Sequence, residues 1–405
     1  MLIPSAERPQ YFRLRDLAIA AQSRRFASWI ARSARAAPEP PRGHGARRPN
    51  EIDFWRGFAL VTIFINHIPG IYWENFTHRH VSLSDAAELF VFLAGWSLRL
   101  LVNSQYQVIT LPRLLLHLGG RAVVIYFAQI LISTLALAIT AAGAMWLDAP
   151  PLLEWNNAAA AFQDPAPAHV GLVLLSYQLG FFDILPLYVV LMFIAPLIAI
   201  VDHYARPALL PLALAVYATT LAMEFNLPTW PVEGRWMFNP LAWQLMFVLG
   251  FVLAGPSAIG AFVGRHRLLA RLVALPILVA GFWAVRADYL PDALDVPEPH
   301  LFFMFDKTFL TPARVLHLLA IVTMFGGLFV ILHRFFRPVT RLFSMLGRNS
   351  LNVFCIGSLL SLLGQFVRFA GDGVLWIDFV VLVIGISVMS LTAWVSEWRH
   401  RLRAP

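Results

Sequence analysis

The stretch Asp53-Phe-Trp-Arg56-Gly-Phe-Ala-Leu-Val-Thr-Ile-Phe-Ile-Asn-His67-Ile-Pro-Gly70 reads as an apolar helix with an arginine near one end and a histidine near the other. The two are 67 − 56 = 11 positions apart. That is about 16 Å at 1.5 Å per residue, and eleven steps of about 100° return both side chains to nearly one face. Placing a guanidinium or an imidazole in hydrocarbon is costly, so this face belongs in a bundle interior or a watered cavity. The remaining chain is expected to house it.

Composition supports a membrane setting: 59% of the 405 residues are hydrophobic and only 13% charged, with a mean hydropathy of +0.67, outside the range of ordinary soluble domains. The apolar residues fall in continuous blocks, each near the ~20 residues that cross a bilayer as helix, and lack the dyad alternation of a transmembrane barrel. The expected fold is therefore all-α and polytopic, one bundle of about ten transmembrane helices. A single cysteine, Cys355, excludes an intrachain disulfide. The net charge of +8 would suggest nucleic acid in a soluble chain. Here the arginines sit in alternate loops and act as topology signals, so no nucleic-acid partner is expected.

The spans are expected at Phe54–Tyr72, Ala86–Val102, Ala122–Leu147, a crossing from Asp183 to Val201, Ala208–Met223, Pro240–Leu253, Leu268–Val285, Pro312–Leu332, Leu351–Val367 and Val374–Trp394. A shallow or re-entrant piece from Val170 to about Gly180 precedes the fourth. One set of loops carries arginines such as Arg99, Arg121, Arg206, Arg271, Arg341 and Arg399, whereas the other is mostly acidic, with Asp148, Glu154, Glu233, Asp292 and Glu298. The alternation places both termini in the cytoplasm. Residues 1–50 form a basic tail, within which Leu14–Ala34 reads as an amphipathic surface helix or as plain disordered extension. Residues 51–398 form the membrane domain, and 399–405 a short basic C-terminal tail.

This topology gathers the polar outliers on the outer side: His67, Glu88 in the second span, Asp183 at the start of the fourth, Arg314 and His317 in the eighth, and Asp378 at the start of the last. Lys307, the only lysine in the chain, lies just outside the eighth. Such residues mark pathways or active sites, and their shared side suggests an outward-open cavity. His67 reads either as a general base, needing a pKa near neutrality and a carboxylate that Glu88 would supply, or as a buried histidine bonded to a neighbouring helix. Arg56 reads as a clamp for a phosphate or carboxylate, or as a topology anchor paired to Asp53. Asp183, Tyr188, Trp243 and Gln244 suit a sugar site, although Trp and Tyr also form interface belts. Arg314 and His317 share a helical face as oxyanion partners or packing contacts. No metal-ligand spacing, nucleophile elbow or phosphate-cradling loop is present, so no metal is expected.

On these residues the chain resembles the OpgC family of integral membrane acyltransferases, related to the acyltransferase-3 superfamily. Arg56 and His67 match the superfamily's arginine-ten-residues-histidine signature. Ser84-Asp85-Ala-Ala-Glu88-Leu-Phe-Val-Phe-Leu-Ala-Gly95 resembles its second-helix motif, with Ala94 where serine is frequent. Asp183-Ile-Leu-Pro-Leu-Tyr188, Asn239-Pro-Leu-Ala-Trp-Gln244 and Leu346-Gly-Arg-Asn-Ser-Leu-Asn-Val-Phe354 are similar to OpgC segments, so the resemblance covers roughly residues 50–395.

The resemblance implies transfer of an acyl group from a cytoplasmic acyl-CoA, succinyl-CoA or acetyl-CoA, to a periplasmic glycan across the bacterial inner membrane. The family is associated with succinylation of osmoregulated periplasmic glucans. In this expectation Arg56, with Asp53, holds the donor, His67 and Glu88 are catalytic, and Asp85, Asp183, Tyr188, Trp243, Gln244, Lys307, Arg314 and His317 contact acceptor or oxyanion. The co-substrate is acyl-CoA, no cofactor is bound permanently, and the partners are membrane lipid and glucan. Direct transfer and an acyl-histidine intermediate stay equally open. The reading from another class is a secondary transporter or glycan flippase with an outward-facing polar cavity.

Overall fold

The computed structural model describes residues 49–105, 111–255 and 264–403, so the basic tail up to residue 48 and its amphipathic segment lie outside the described residues. Over the described residues the chain is all-helical, with one isolated bridge between Pro228 and Arg235 as its only β-type pairing. The principal helices are α1 (Glu51–Asn66), α2 (Ala86–Gln105), α3 (Leu111–Trp146), α4 (Ile184–Ala222), α5 (Pro240–Ala254), α6 (Arg267–Arg286), α7 (Pro312–Phe325), α8 (Leu328–Phe335), α9 (Arg337–Arg348), α10 (Ser350–Ala370) and α11 (Leu375–Arg403). Six of these helices are long and apolar enough to cross a membrane, seven if α7 and α8, bent by 50°, make one broken span. Half-exposed side chains such as Phe127, Leu131, Leu269, Trp283 and Val383 coat α3, α6 and α11, an apolar surface that hydrocarbon can cover.

Three departures from the predicted spans have local causes. The first span stops at Asn66, not Tyr72, because Pro69 and Gly70, at φ +73°, turn the chain; His67 caps α1 through its backbone N–H to Ile63. The spans predicted at Asp183–Val201 and Ala208–Met223 are two helical stretches that run together as one 39-residue element across a kink at Ala205, where φ/ψ is −143°/48°. On one side of that break Asp202 pairs with Arg99 late in α2; on the other Tyr217 donates to the carbonyl of Leu310, just before α7. These contacts lie at opposite ends of the bundle, so the helix turns back on itself at Ala205. The predicted arginine-rich loop before the ninth span is itself the amphipathic helix α9, packed on α1. Between α3 and α4, Pro165–Val173 is only nine residues long, about 14 Å, too short to cross.

Glycine pairs bring the central helices into backbone contact. A Cβ on Gly57 would lie 1.9 Å from the Phe343 carbonyl oxygen and one on Gly347 1.8 Å from that of Asp53, which locks α1 to α9. A Cβ on Gly95 or Gly250 would likewise lie 1.8 or 2.0 Å from the Phe247 or Phe92 carbonyl oxygen, so these glycines join α2 to α5 in the same way. Such approaches let helices gain dispersion contact where lipid removes the hydrophobic drive between them. Arg99, counted by sequence among the loop arginines, is instead buried and ion-paired to Asp202, which also accepts from Arg206.

Candidate functional site

At the end of the bundle where α2 and α7 begin, two carboxylates are each set by a helix start. Asp85 precedes α2, its Oδ1 accepting from the Ala87 amide at 2.7 Å, while Glu88 Oε2 accepts from the Asp85 amide at 3.0 Å. This is a reciprocal capping pair at the spacing Asp-x-x-Glu. The other oxygens are committed to cations. Lys307 Nζ lies 2.6 Å from Asp85 Oδ2, and Arg314 donates to Glu88 Oε1 through Nε at 2.7 Å and a terminal nitrogen at 2.5 Å. Burial opposes ionisation of Asp85, yet the Lys307 ammonium holds its carboxyl well below the usual range.

Glu88 therefore does not supply the partner expected for His67. The Nδ1 of His67 is buried without a hydrogen-bond partner, and the ring packs on Phe181 with centroids 4.8 Å apart. The charges within electrostatic reach of His67 are those of Lys307, Asp85 and Arg79. Burial foremost, then the Lys307 ammonium, push the imidazole down to about 3, far from the near-neutral value anticipated. The ring is therefore neutral at physiological pH, and in the free protein it is a weaker base than an ordinary imidazole.

The turn that carries His67 is clamped from α10 and α11. Gln365 donates to the His67 carbonyl at 2.7 Å. Arg368 donates to the carbonyls of Pro69 and Gly70, both at 2.6 Å, and to Asp378 at 2.5 Å, and Asp378 accepts from the Tyr72 amide at 2.7 Å. Sequence grouped Asp378 with His67, and the structure brings Asp378 to the His67 turn; sequence missed Gln365 and Arg368, whose only signal was two polar residues late in an apolar span. Of the polar outliers, Lys307, Glu88, Arg314 and Asp378 are committed to ion pairs, whereas His67, Asp183 and His317 are not.

His317 Nδ1 lies 3.0 Å from the Ser84 hydroxyl, and its ring fills the space beside Gly281, where a Cβ would come within 2.3 Å. Asp183 is half-buried immediately before α4 without capping it; burial pushes its carboxyl up to about 6, opposed by Lys307. Trp243 and Gln244, candidates for a sugar site by sequence, are both buried and hydrogen-bonded within the bundle. Trp243 is fully buried and donates through Nε1 to the carbonyls of Lys307 and Thr308, and Gln244 donates to Ala213. Their role is to fix α5 against the Lys307 loop and α4.

Arg56 stands at the opposite end of α1. It donates to the Ser350 hydroxyl at 2.5 Å, at the start of α10, and its Nε is buried without a partner. Asp53 accepts from the Asn50 side chain at 2.6 Å. Arg121, now within α3, lies within electrostatic reach of Arg56, and both act on the buried phenol of Tyr188, whose hydroxyl also has no partner. Two arginines within electrostatic reach of each other and of an unpartnered phenol suit an anion. Among the described residues no group of three or more His, Cys, Asp or Glu is arranged to hold a metal ion.

A family model described as OpgC protein matches residues 48–401. No curated protein and no solved structure matches the chain.

Proposed function

The chain belongs to the OpgC family, and from that premise we propose that it is a membrane O-acyltransferase moving an acyl group, succinyl or acetyl, from a cytoplasmic acyl-CoA to hydroxyls of a periplasmic glucan. Membership by itself suggests a membrane acyltransferase of glucan modification. The observation that carries the finer reading is α1: Arg56 with an uncommitted Nε at one end, and a neutral, unpartnered His67 imidazole just past the other.

In this reading ten helical passes put both termini in the cytoplasm and the His67 end outside. The acidic part of acyl-CoA binds at Arg56, near Arg121 and Tyr188, and its thioester extends into the bundle. His67 takes the proton of a glucan hydroxyl as that oxygen attacks the thioester carbonyl; the C–S bond breaks and the coenzyme A thiolate leaves. Lys307 is the cation nearest His67 in effect and stabilises the oxyanion. Arg314 and His317, committed to Glu88 and Ser84, support that end, and Asp183 faces the Lys307 charge.

Mass spectrometry of glucan from cells with and without the gene tests this. Loss of an acyl increment, with glucan still present, is the expected result. Loss of the periplasmic glucan itself would replace the enzyme by a transporter or flippase.

A further inference from the structure

The buried positions of Trp243 and Gln244 leave the acceptor without the surface anticipated for it, and one groove meets the requirement. Beside the His67 turn, between the end of α3, the 150–157 segment and the end of α10, lies a cavity of about 940 Å³, lined by Pro69, Trp155, Asn156, Gln365, Arg368 and Phe369. Its size falls in the range of small-molecule and oligomer subsites. We propose that this groove is the acceptor subsite and takes a neutral, hydroxyl-rich carbohydrate segment; the assignment rests on the glucan acyltransferase reading.

Charge selects the ligand class. The Arg368 charge is paired to Asp378 through Nε, and each terminal nitrogen spends one N–H on the Pro69 or Gly70 carbonyl. The other charged group at the groove is the exposed carboxylate of Asp372. With Arg368 balanced by Asp378 and Asp372 adding a negative charge, the groove disfavours phosphate and carboxylate, and the anionic donor is left to the Arg56 end. What remains is an aromatic and amide wall. Trp155 is stacked on Phe366 at 5.8 Å and meets Phe369 edge-on at 5.5 Å, which fixes the indole in place. Its π-face is electron-rich and suits the C–H face of a pyranose ring.

The amides link this wall to the catalytic turn. Asn156 donates to Gln365 at 2.9 Å, and Gln365 donates to the His67 carbonyl. A carboxamide has two N–H donors and two acceptor lone pairs, so each keeps capacity for sugar hydroxyls. The segment turns through two left-handed residues, Asn156 and Asn157, with φ +56° and +60°. The carbonyl of Asn156 accepts from the Gly180 amide at 2.7 Å and that of Asn157 from the Tyr177 hydroxyl at 2.5 Å.

The test uses full-length protein in nanodiscs, with a short linear gluco-oligosaccharide as acceptor and as calorimetric binding probe. Trp155→Ala and Phe369→Ala are expected to raise the acceptor KM about tenfold, leaving the acyl-CoA KM within about twofold, with Trp155→Phe restoring most of the loss. Phe369 is half-exposed, so its variant tests the groove even if Trp155→Ala fails to fold. Unchanged acceptor KM in both variants, or acceptor and donor constants moving together, would overturn the groove while leaving acyl transfer to glucan intact. Oligosaccharide binding that Phe369→Ala abolishes, in a protein that transfers no acyl group, would uphold the groove and defeat the enzymatic reading.

Discussion

Glu88 shows how one residue carries two meanings that sequence cannot separate. Its spacing from Asp85 is that of a helix cap, and its depth in an apolar span marks a functional group; in the structure it is a cap whose free oxygen is committed to Arg314. Glu88→Gln leaves the Arg314 charge buried and unpaired, so a loss of about 3–5 kcal/mol is expected in detergent unfolding. Replacing both partners by apolar residues of similar volume is expected to recover most of it; a double variant as unstable as the single one would argue against a direct pair. His67 makes a different prediction. Its imidazole is held at about 3, below the unfolded value near 6.5, so the ring contributes stability that is complete above about pH 6.5 and falls as pH drops toward 3. His67→Gln is expected to flatten the stability profile across that window, as read by unfolding at a series of pH values. By the same fact, no activity limb near 6.5 is expected from His67 in free enzyme.

At the scale of elements, periodicity and apolar block length made the helices legible, and backbone chemistry decided where they end. Pro69 and Gly70 stop α1 one residue before His67, which turns a mid-span histidine into the first residue of a clamped turn. The break at Ala205 lies between Pro196 and Pro207, beside the polar Asp202, His203 and Arg206, where sequence had placed a loop. The candidate site was less legible than the helices. Trp243, Gln244 and Glu88 stood in the right helices, but their partners come from residues about 30 to 230 positions away, and nothing local encodes such pairings. Two expectations belong here. Gly95→Leu or Gly250→Leu drives a side chain into a facing backbone carbonyl that cannot retreat, and loss of the monodisperse folded peak on size exclusion is expected. Arg368→Lys removes the fork that holds the His67 turn through three nitrogens. A fall in kcat with donor KM unchanged is expected; an unchanged kcat would release the clamp from any part in catalysis.

Across the whole molecule, the ion pairs at Asp85, Glu88 and Asp378 and the Arg56–Arg121 pair lie at opposite ends of one bundle, with α1 running between them. The proposed orientation is open to labelling in a Cys355→Ser background. A cysteine at Asp292 is expected to react with an impermeant maleimide in intact spheroplasts, and one at Arg399 only after lysis; the reverse pattern would invert the bundle. The most direct test of the central claim is the rate of acyl transfer from acyl-CoA to glucan by purified His67→Ala against the unsubstituted protein. For a proton acceptor in the transition state, a fall of about 10²- to 10⁴-fold is expected in a variant that elutes and melts like the parent. Acylated glucan formed by folded His67→Ala at the parental rate would contradict it.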